Sequence, residues 1–215
     1  MMNKADWNKM LENRVPEKAI PYCCALWEEE PFHFEITRSR ISKLGDFRYR
    51  RGHEIQKITI NHDLNPYQFL ITFVHEVAHH RVFSQYKGVG VKPHGPEWKR
   101  SFRFLMAPLL HKNVFPMDVL IPLRLYMNNP KASTGADFFL MKELKKYDRR
   151  PASYSGVLLG DLKTGAQFGL RSRIFEKLET KRSRVLCMEL STGRKYLISR
   201  HAEVVEKDDE GDVPF

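Results

Sequence analysis

The apolar positions of this chain follow two different periods, and each period marks a different part of it. Before residue 150, apolar residues recur at helical spacing in six stretches, and apolar residues alternate with polar ones in three short runs. The alternating runs predict strands at 32–37, 47–50 and 55–60, and the turn signals between them favour a small antiparallel meander. The predicted helices cover residues 3–14, 17–29, 66–86, 96–110, 117–127 and 135–147.

The pattern changes after residue 150. Apolar runs become short and are separated by turn signals such as Ser191-Thr192-Gly193, which is typical of short strands. We therefore expect a first domain at 1–150, a small β module at 151–206 and an acidic, mobile tail at 207–215. The predicted fold class is α+β, with helices packed on a small antiparallel sheet and the β module after them. The expected core of the module contains Leu170, Ile174, Phe175, Val185, Leu186, Leu197 and Ile198.

Composition narrows the class of protein. The chain has 215 residues, 42% of them hydrophobic, so it can bury a sizeable core. Its 36 Lys and Arg exceed its 26 Asp and Glu by ten, which favours a polyanionic partner. Three cysteines, two of them adjacent, cannot form a disulfide framework and favour a reducing compartment. The N-terminus lacks the apolar stretch of a signal peptide, and no run is apolar enough to cross a membrane, so we expect a cytoplasmic protein.

The most informative stretch lies in the longest predicted helix, where residues 73–80 read FVHEVAHH and contain the pattern H-E-x-x-H. Residues four apart lie on one face of a helix, so His75 and His79 can bind one metal ion. Glu76 is placed to reach a water molecule beside that metal rather than the metal itself. We therefore expect one zinc ion per chain, because zinc makes water nucleophilic at neutral pH.

Catalytic zinc takes three protein ligands and leaves one position open, so a third ligand must come from elsewhere. The metzincin pattern is excluded, because the Gly and His that it requires three and six residues after His79 are missing. His94 is the leading candidate, since a loop just before a helix can fold back over the zinc helix. Glu97 would instead give a set of two His and one Glu. His80 is disfavoured, because it points about 100° away from its neighbour.

The chain resembles the SprT-like zinc metalloproteases at this point. The resemblance is carried by HEVAHH at 75–80 and by HGPEWK at 94–99. Two strand segments before the zinc helix, ISKLGDFRYR at 41–50 and ITIN at 58–61, are also similar to segments of this family. The resemblance covers about residues 15–150.

This resemblance implies a minimal zincin fold with His75, His79 and His94 as zinc ligands and Glu76 as the catalytic base. It also implies a protein substrate, and extends the expected substrates to proteins attached to DNA. Members of this family commonly end in a zinc ribbon with two cysteine pairs. The corresponding region here contains Cys187 alone. We therefore expect it to keep its strands without a second zinc site.

Basic residues alternate with aromatic ones in places, which is one pattern of single-stranded nucleic-acid binding. The alternation on the second predicted strand places two arginines on one side of the sheet, and Phe168, Phe175 and Tyr196 of the β module are candidates for stacking on bases. The simpler interpretation is that the charges face solvent and the aromatic rings belong to the core. The candidate nucleic-acid contacts are Arg48, Arg50, Arg171, Arg173, Arg182 and Arg184.

Two alternatives to a protease acting on DNA-associated proteins stay open at this stage. One is a DNA-binding or DNA-tethered module whose zinc site is structural or weakly active. The presence of Glu76 argues against it, because a purely structural site needs no general base. The other is a regulatory peptidase with a dedicated protein target and no link to DNA. Stimulation of cleavage by single-stranded DNA would separate these functions.

Overall fold

The computed structural model describes residues 4–40, 42–50, 52–53, 55–87, 89–132, 137–148 and 156–207. The chain forms two compact units: the first comprises Met1–Thr134 and Glu143–Arg149, and the second comprises Gly135–Lys142 and Arg150–Phe215. The units differ from the predicted domains in the segment 135–142, which groups with the second unit. The predicted acidic tail lies, from residue 208 onward, outside the described residues.

The described residues contain six α-helices and two sheets, so the predicted α+β class is confirmed. Short 3₁₀ turns at Glu17–Ala19 and Ala107–Leu109 replace parts of two predicted helices. No helix in this part of the chain combines the length and apolar character needed to span a membrane. The helices are α1 (Lys4–Leu11), α2 (Ile20–Glu29), α3 (Pro66–Tyr86), α4 (Pro96–Met106), α5 (Met117–Asn128) and α6 (Phe138–Lys145).

The sheet of the first unit has three strands, β1 (His33–Thr37), β2 (Gly45–Arg48) and β3 (Lys57–Asn61), in the order β1-β3-β2. β1 runs parallel to β3, and β2 runs antiparallel to it. The predicted antiparallel meander is therefore wrong. The reason is burial: four of the five residues of β3 are buried, Ile58 and Ile60 fully, and this most buried strand takes the centre, where both of its edges are paired. β2 is left as an edge strand.

Helix α3 passes through the core of the first unit, with buried residues on all sides. Asn65 begins it: its Oδ1 accepts from the backbone N–H of Gln68, and Pro66 occupies the first turn, where no backbone donor is needed. The side-chain Nδ2 of Asn65 donates to the backbone carbonyl of Leu144 and to Asp148 Oδ1. The start of the helix is thus held by hydrogen bonds to residues distant in sequence.

The second unit contains one six-stranded sheet in the order β4-β9-β5-β6-β7-β8, and its strand pairs are antiparallel. Phe168 and Phe175 lie in its buried core, which confirms the simpler interpretation of these rings and excludes them as surfaces for stacking on bases. Ile174 and Leu197 are 36% and 49% exposed, because strand alternation turns them to the opposite face from Phe175. The strands are β4 (Val157–Leu158), β5 (Gln167–Leu170), β6 (Arg173–Thr180), β7 (Arg184–Glu189), β8 (Lys195–Ser199) and β9 (Glu203–Glu206).

A buried lysine of β6 connects the loop between β4 and β5 to the sheet by hydrogen bonds. Lys177 of β6 is only 2% exposed, and its Nζ donates to the carbonyl oxygens of Leu159, Gly160 and Leu162 at 3.0, 3.2 and 2.6 Å. Burial lowers the pKa of this lysine. The three carbonyls satisfy all three donors of the ammonium group, which is what a buried charge requires.

We expect Lys177→Met to destabilise the second unit by about 1–3 kcal/mol, because three buried carbonyls would lose their donor. Amide hydrogen exchange of β5 to β8, followed by mass spectrometry, measures this locally. The exposed Lys163→Met is the matched control and should leave the exchange unchanged. Equal protection in both variants would show that the lysine contributes no net stability.

Candidate metal centre

Two elements bring three histidines together. His75 and His79 lie one turn apart on α3, and His94 lies in the turn before α4, where the N–H of Gly95 donates to the carbonyl of Lys92. His94 has a φ of 57°, the left-handed conformation that few residues other than glycine adopt. This backbone conformation reverses the chain just before α4 and allows the imidazole to meet the two on α3.

The Nε2 atoms of the three rings converge. The nitrogens of His75 and His79 lie 3.2 Å apart, those of His75 and His94 also 3.2 Å, and those of His79 and His94 2.9 Å. Each Nε2 either carries a hydrogen or presents a lone pair, so among three mutually contacting nitrogens at least two are alike. Hydrogen bonds alone therefore cannot satisfy all three contacts.

A metal cation resolves this conflict, because it accepts the lone pairs of all three rings at once. Zinc binds imidazole nitrogen at about 2.0–2.1 Å, and tetrahedral geometry then separates the nitrogens by about 3.3 Å. The observed spacing is close to that value. Within the described part of the chain, these three residues form the group that could hold a metal ion. The donor set thus fits the zinc ion that the sequence predicts.

The protonation states also suit metal binding. Burial lowers the pKa of His75 well below its usual value, with a further contribution from the two neighbouring rings. Burial and the His94 ring lower the pKa of His79 to about 4, and burial lowers the pKa of His94 as well. All three rings are therefore neutral at pH 7, which is the form that binds metals.

Trp98 of α4 holds the three imidazoles in place. Its ring is buried and lies 4.6, 5.3 and 4.7 Å, between centroids, from His75, His79 and His94. Its Nε1–H donates to the backbone carbonyl of His75 at 3.4 Å. Phe102, one turn further along α4, stacks on the Trp98 ring, with the two centroids 5.0 Å apart. Trp98 was not among the predicted site residues, although its spacing of four from His94 is visible in the HGPEWK motif.

We expect Trp98→Leu to weaken zinc binding about 10- to 100-fold, as loss of groups that orient metal ligands typically does. Trp98→Phe keeps an aromatic ring but removes the donor to His75, and should have an intermediate effect. Competition for zinc with a chromophoric chelator measures both affinities. The same affinity in the wild type and both variants would show that Trp98 only fills space.

Glu76 lies on the face of α3 that β2 covers. It is 6% exposed, and burial raises the pKa of its carboxyl group to about 8, although the backbone N–H of Phe47 donates to it. The close approach of the strand depends on Gly45. A Cβ at that position would lie 2.8 Å from Glu76 Oε1 and 2.7 Å from Thr72 Cγ2. A larger residue here would displace the carboxylate.

The two rival ligands are not part of the cluster. His80 packs against Phe32 and Phe47, with ring centroids 5.5 and 5.7 Å away, and its Nδ1 lies 3.9 Å from Glu30 Oε2. Glu97 is in the first turn of α4, and its carboxylate is not among the converging ligand atoms. The helix that carries Glu97 contributes Trp98 to the site instead.

The candidate nucleic-acid contacts have different surroundings. Arg48 pairs with Asp46 on its own strand, and β2 ends there, so Arg50 does not share its sheet face as expected. The guanidinium of Arg173 pairs with Glu189 and lies 4.6 Å from the Tyr196 ring centroid. Both paired arginines therefore have partners within the chain. The remaining candidates, Arg50, Arg171, Arg182 and Arg184, have exposed side chains, and their role stays a prediction.

Comparison with known proteins adds no relative: no protein-family model, curated protein or solved structure matches this chain. The resemblance to SprT-like metalloproteases therefore rests on the motifs around His75 and His94. The geometry of the site provides a separate argument about its chemistry.

Proposed function

We propose that this protein is a zinc-dependent peptidase of the SprT-like type. The observation that carries the proposal is the convergence of three neutral imidazoles, two of them from α3, the helix that also carries the buried carboxyl group of Glu76 directly after His75. A structural zinc site uses four protein ligands and needs no general base. The cluster in the described residues supplies three ligands. This arrangement leaves a position free and favours catalysis.

The residues of the chain would divide the work as follows. His75, His79 and His94 would hold zinc, which when bound supplies a Lewis acid that makes water nucleophilic and polarises a carbonyl. The Glu76 carboxylate would take the proton from the attacking water and return it to the leaving amine. Burial raises the pKa of this carboxyl group, which strengthens it as a base and allows it to hold the proton until the amine leaves. The Phe47 N–H would orient this carboxylate.

The test is cleavage of protein substrates by the full chain loaded with one equivalent of zinc. The probes are an unfolded protein and a DNA-binding protein, each with and without single-stranded DNA, and new peptide termini are identified by mass spectrometry. We expect cleavage that a chelator abolishes and added zinc restores. A protein that binds one zinc ion and yields no new termini would contradict the proposal.

The comparison with and without DNA distinguishes a protease for DNA-associated proteins from a peptidase with a dedicated protein target. Stimulation by single-stranded DNA would support action on DNA-associated proteins. Unchanged rates would support a dedicated protein target without a DNA link.

A further inference from the structure

A cavity of about 290 Å³ opens beside the metal centre, and its wall carries a group of positive charges. It is lined by His94, Gly95, Pro96, Lys99, Arg100 and Arg103. Lys99, Arg100 and Arg103 follow Pro96 by three, four and seven positions along α4, so all four lie on one side of the helix. The opposite face of α4 is buried and includes Trp98, which contacts the histidines. One helix thus supports the metal centre and presents three cations next to it.

Neutral groups hold two of these cations in place. Lys99 Nζ donates to Asn129 Oδ1 at 2.7 Å, and Arg103 Nη1 donates to the carbonyl of Asn128 at 3.4 Å. Neither contact neutralises a charge. Among the residues that the structure describes, no carboxylate forms an ion pair with Lys99, Arg100 or Arg103. Three positive charges without an acidic partner attract an anion from outside the chain.

The size of the cavity and the residues of its wall indicate which kind of anion it binds. Its volume suits one side chain, and the three cations span about 6 Å along the helix at 1.5 Å per residue. Sites for single-stranded nucleic acid follow the backbone over several nucleotides and stack bases on aromatic residues. Among the described residues that line this wall, the only aromatic ring is that of His94. These features favour a single carboxylate over a nucleic-acid strand.

We infer that this cavity binds an acidic side chain of the polypeptide substrate, and so selects substrates with Asp or Glu close to the scissile bond. The inference rests on the proposed peptidase function. His94 belongs both to the cavity wall and to the metal centre. A peptide with its scissile carbonyl at the metal therefore has neighbouring side chains within reach of the cavity. Lys99 and Arg103 are held where they can donate to a carboxylate, and Arg100 is exposed beside them.

The first measurement is binding, which does not depend on cleavage. A short peptide with one Glu and its counterpart with Gln are titrated into the zinc-loaded full chain, and amide NMR signals of residues 95–103 are followed. We expect saturable shifts with the Glu peptide and about tenfold or greater weakening with the Gln peptide. Arg100→Glu should remove the difference between the peptides. Lys112→Glu, an equal change at an exposed position outside the cavity wall, should keep it.

The second measurement is the cleavage pattern on a library of peptides from a digested proteome. We expect Asp and Glu to be enriched at one fixed position near the cleaved bond, Arg100→Glu to abolish this enrichment, and Lys112→Glu to keep it. Cleavage without acidic preference would overturn the inference and leave the proposed function intact. Glu-dependent binding without any cleavage would support the cavity and overturn the peptidase. Shifts at 95–103 with a single-stranded oligonucleotide but not with the Glu peptide would assign the cavity to nucleic acid and overturn the inference.

Discussion

Replacement of Glu76 by glutamine is expected to leave zinc binding and the fold intact and to lower the rate of peptide hydrolysis about 10²- to 10⁴-fold, which is the usual contribution of a general base. Glutamine has the size of glutamate, and its side-chain oxygen can still accept from the Phe47 N–H that now contacts the carboxylate. It cannot take a proton from water. The loss should therefore fall on the chemical step and spare metal affinity.

The matched control for this variant is Glu97→Gln. Glu97 is a half-buried glutamate of the same unit, in the first turn of α4, and was the rival zinc ligand. It should keep both activity and zinc. Unchanged hydrolysis by Glu76→Gln, with the metal bound, would refute the proposed role of this carboxylate. A loss of zinc in the same variant would instead show that Glu76 is a ligand.

Removal of the His94 imidazole is expected to weaken zinc binding more than about 100-fold, beyond the loss caused by changes to groups that only orient the ligands. Two histidines remain, and they share one helix face without the third Nε2 that completes the group. Hydrolysis should disappear together with the metal. Equilibrium dialysis followed by elemental analysis measures zinc per chain.

The choice of substitution at His94 matters, because its φ of 57° is a conformation that alanine adopts at a cost. His94→Asn tolerates this conformation and still removes the imidazole, so it separates ligand loss from backbone strain. His53→Asn, at an exposed histidine, is the control. If His94→Asn retained one zinc per chain and Glu97→Ala lost it, the ligand set would be His75, His79 and Glu97.

The local pattern of residues was sufficient to predict several features of this protein. The spacing of His75 and His79 on a capped helix places both rings on one face wherever that helix packs, because the rule depends only on the helical period. The same holds for Asn65 and Pro66, which begin α3 by contacts within one turn. The α+β class and the general β character of the second unit followed from periodicity in the same way. Predicted helix ends differed by a few residues where 3₁₀ turns took over.

Contacts between residues distant in sequence could not be predicted from the local pattern of apolar and polar residues. Alternation predicted three strands, but the meander order inferred from the turns between them was wrong, because strand pairing depends on which strand is buried on both faces, and β3 took the centre. Phe168 and Phe175 were ambiguous between core and surface, since an aromatic residue in a strand suits either side until the sheet acquires a second layer.

In the candidate metal centre too, some residues were predictable from local pattern and others only from tertiary contacts. The motif named His75, Glu76 and His79 and proposed His94, yet the reason that His94 rather than Glu97 joins them is a left-handed turn and a tryptophan that packs against all three rings. Gly45 lies 31 positions before Glu76 in the sequence, and the need for a glycine there arises only when β2 packs against α3. A sequence specifies chemistry where neighbours along the chain create it. Packing specifies it where residues meet through space.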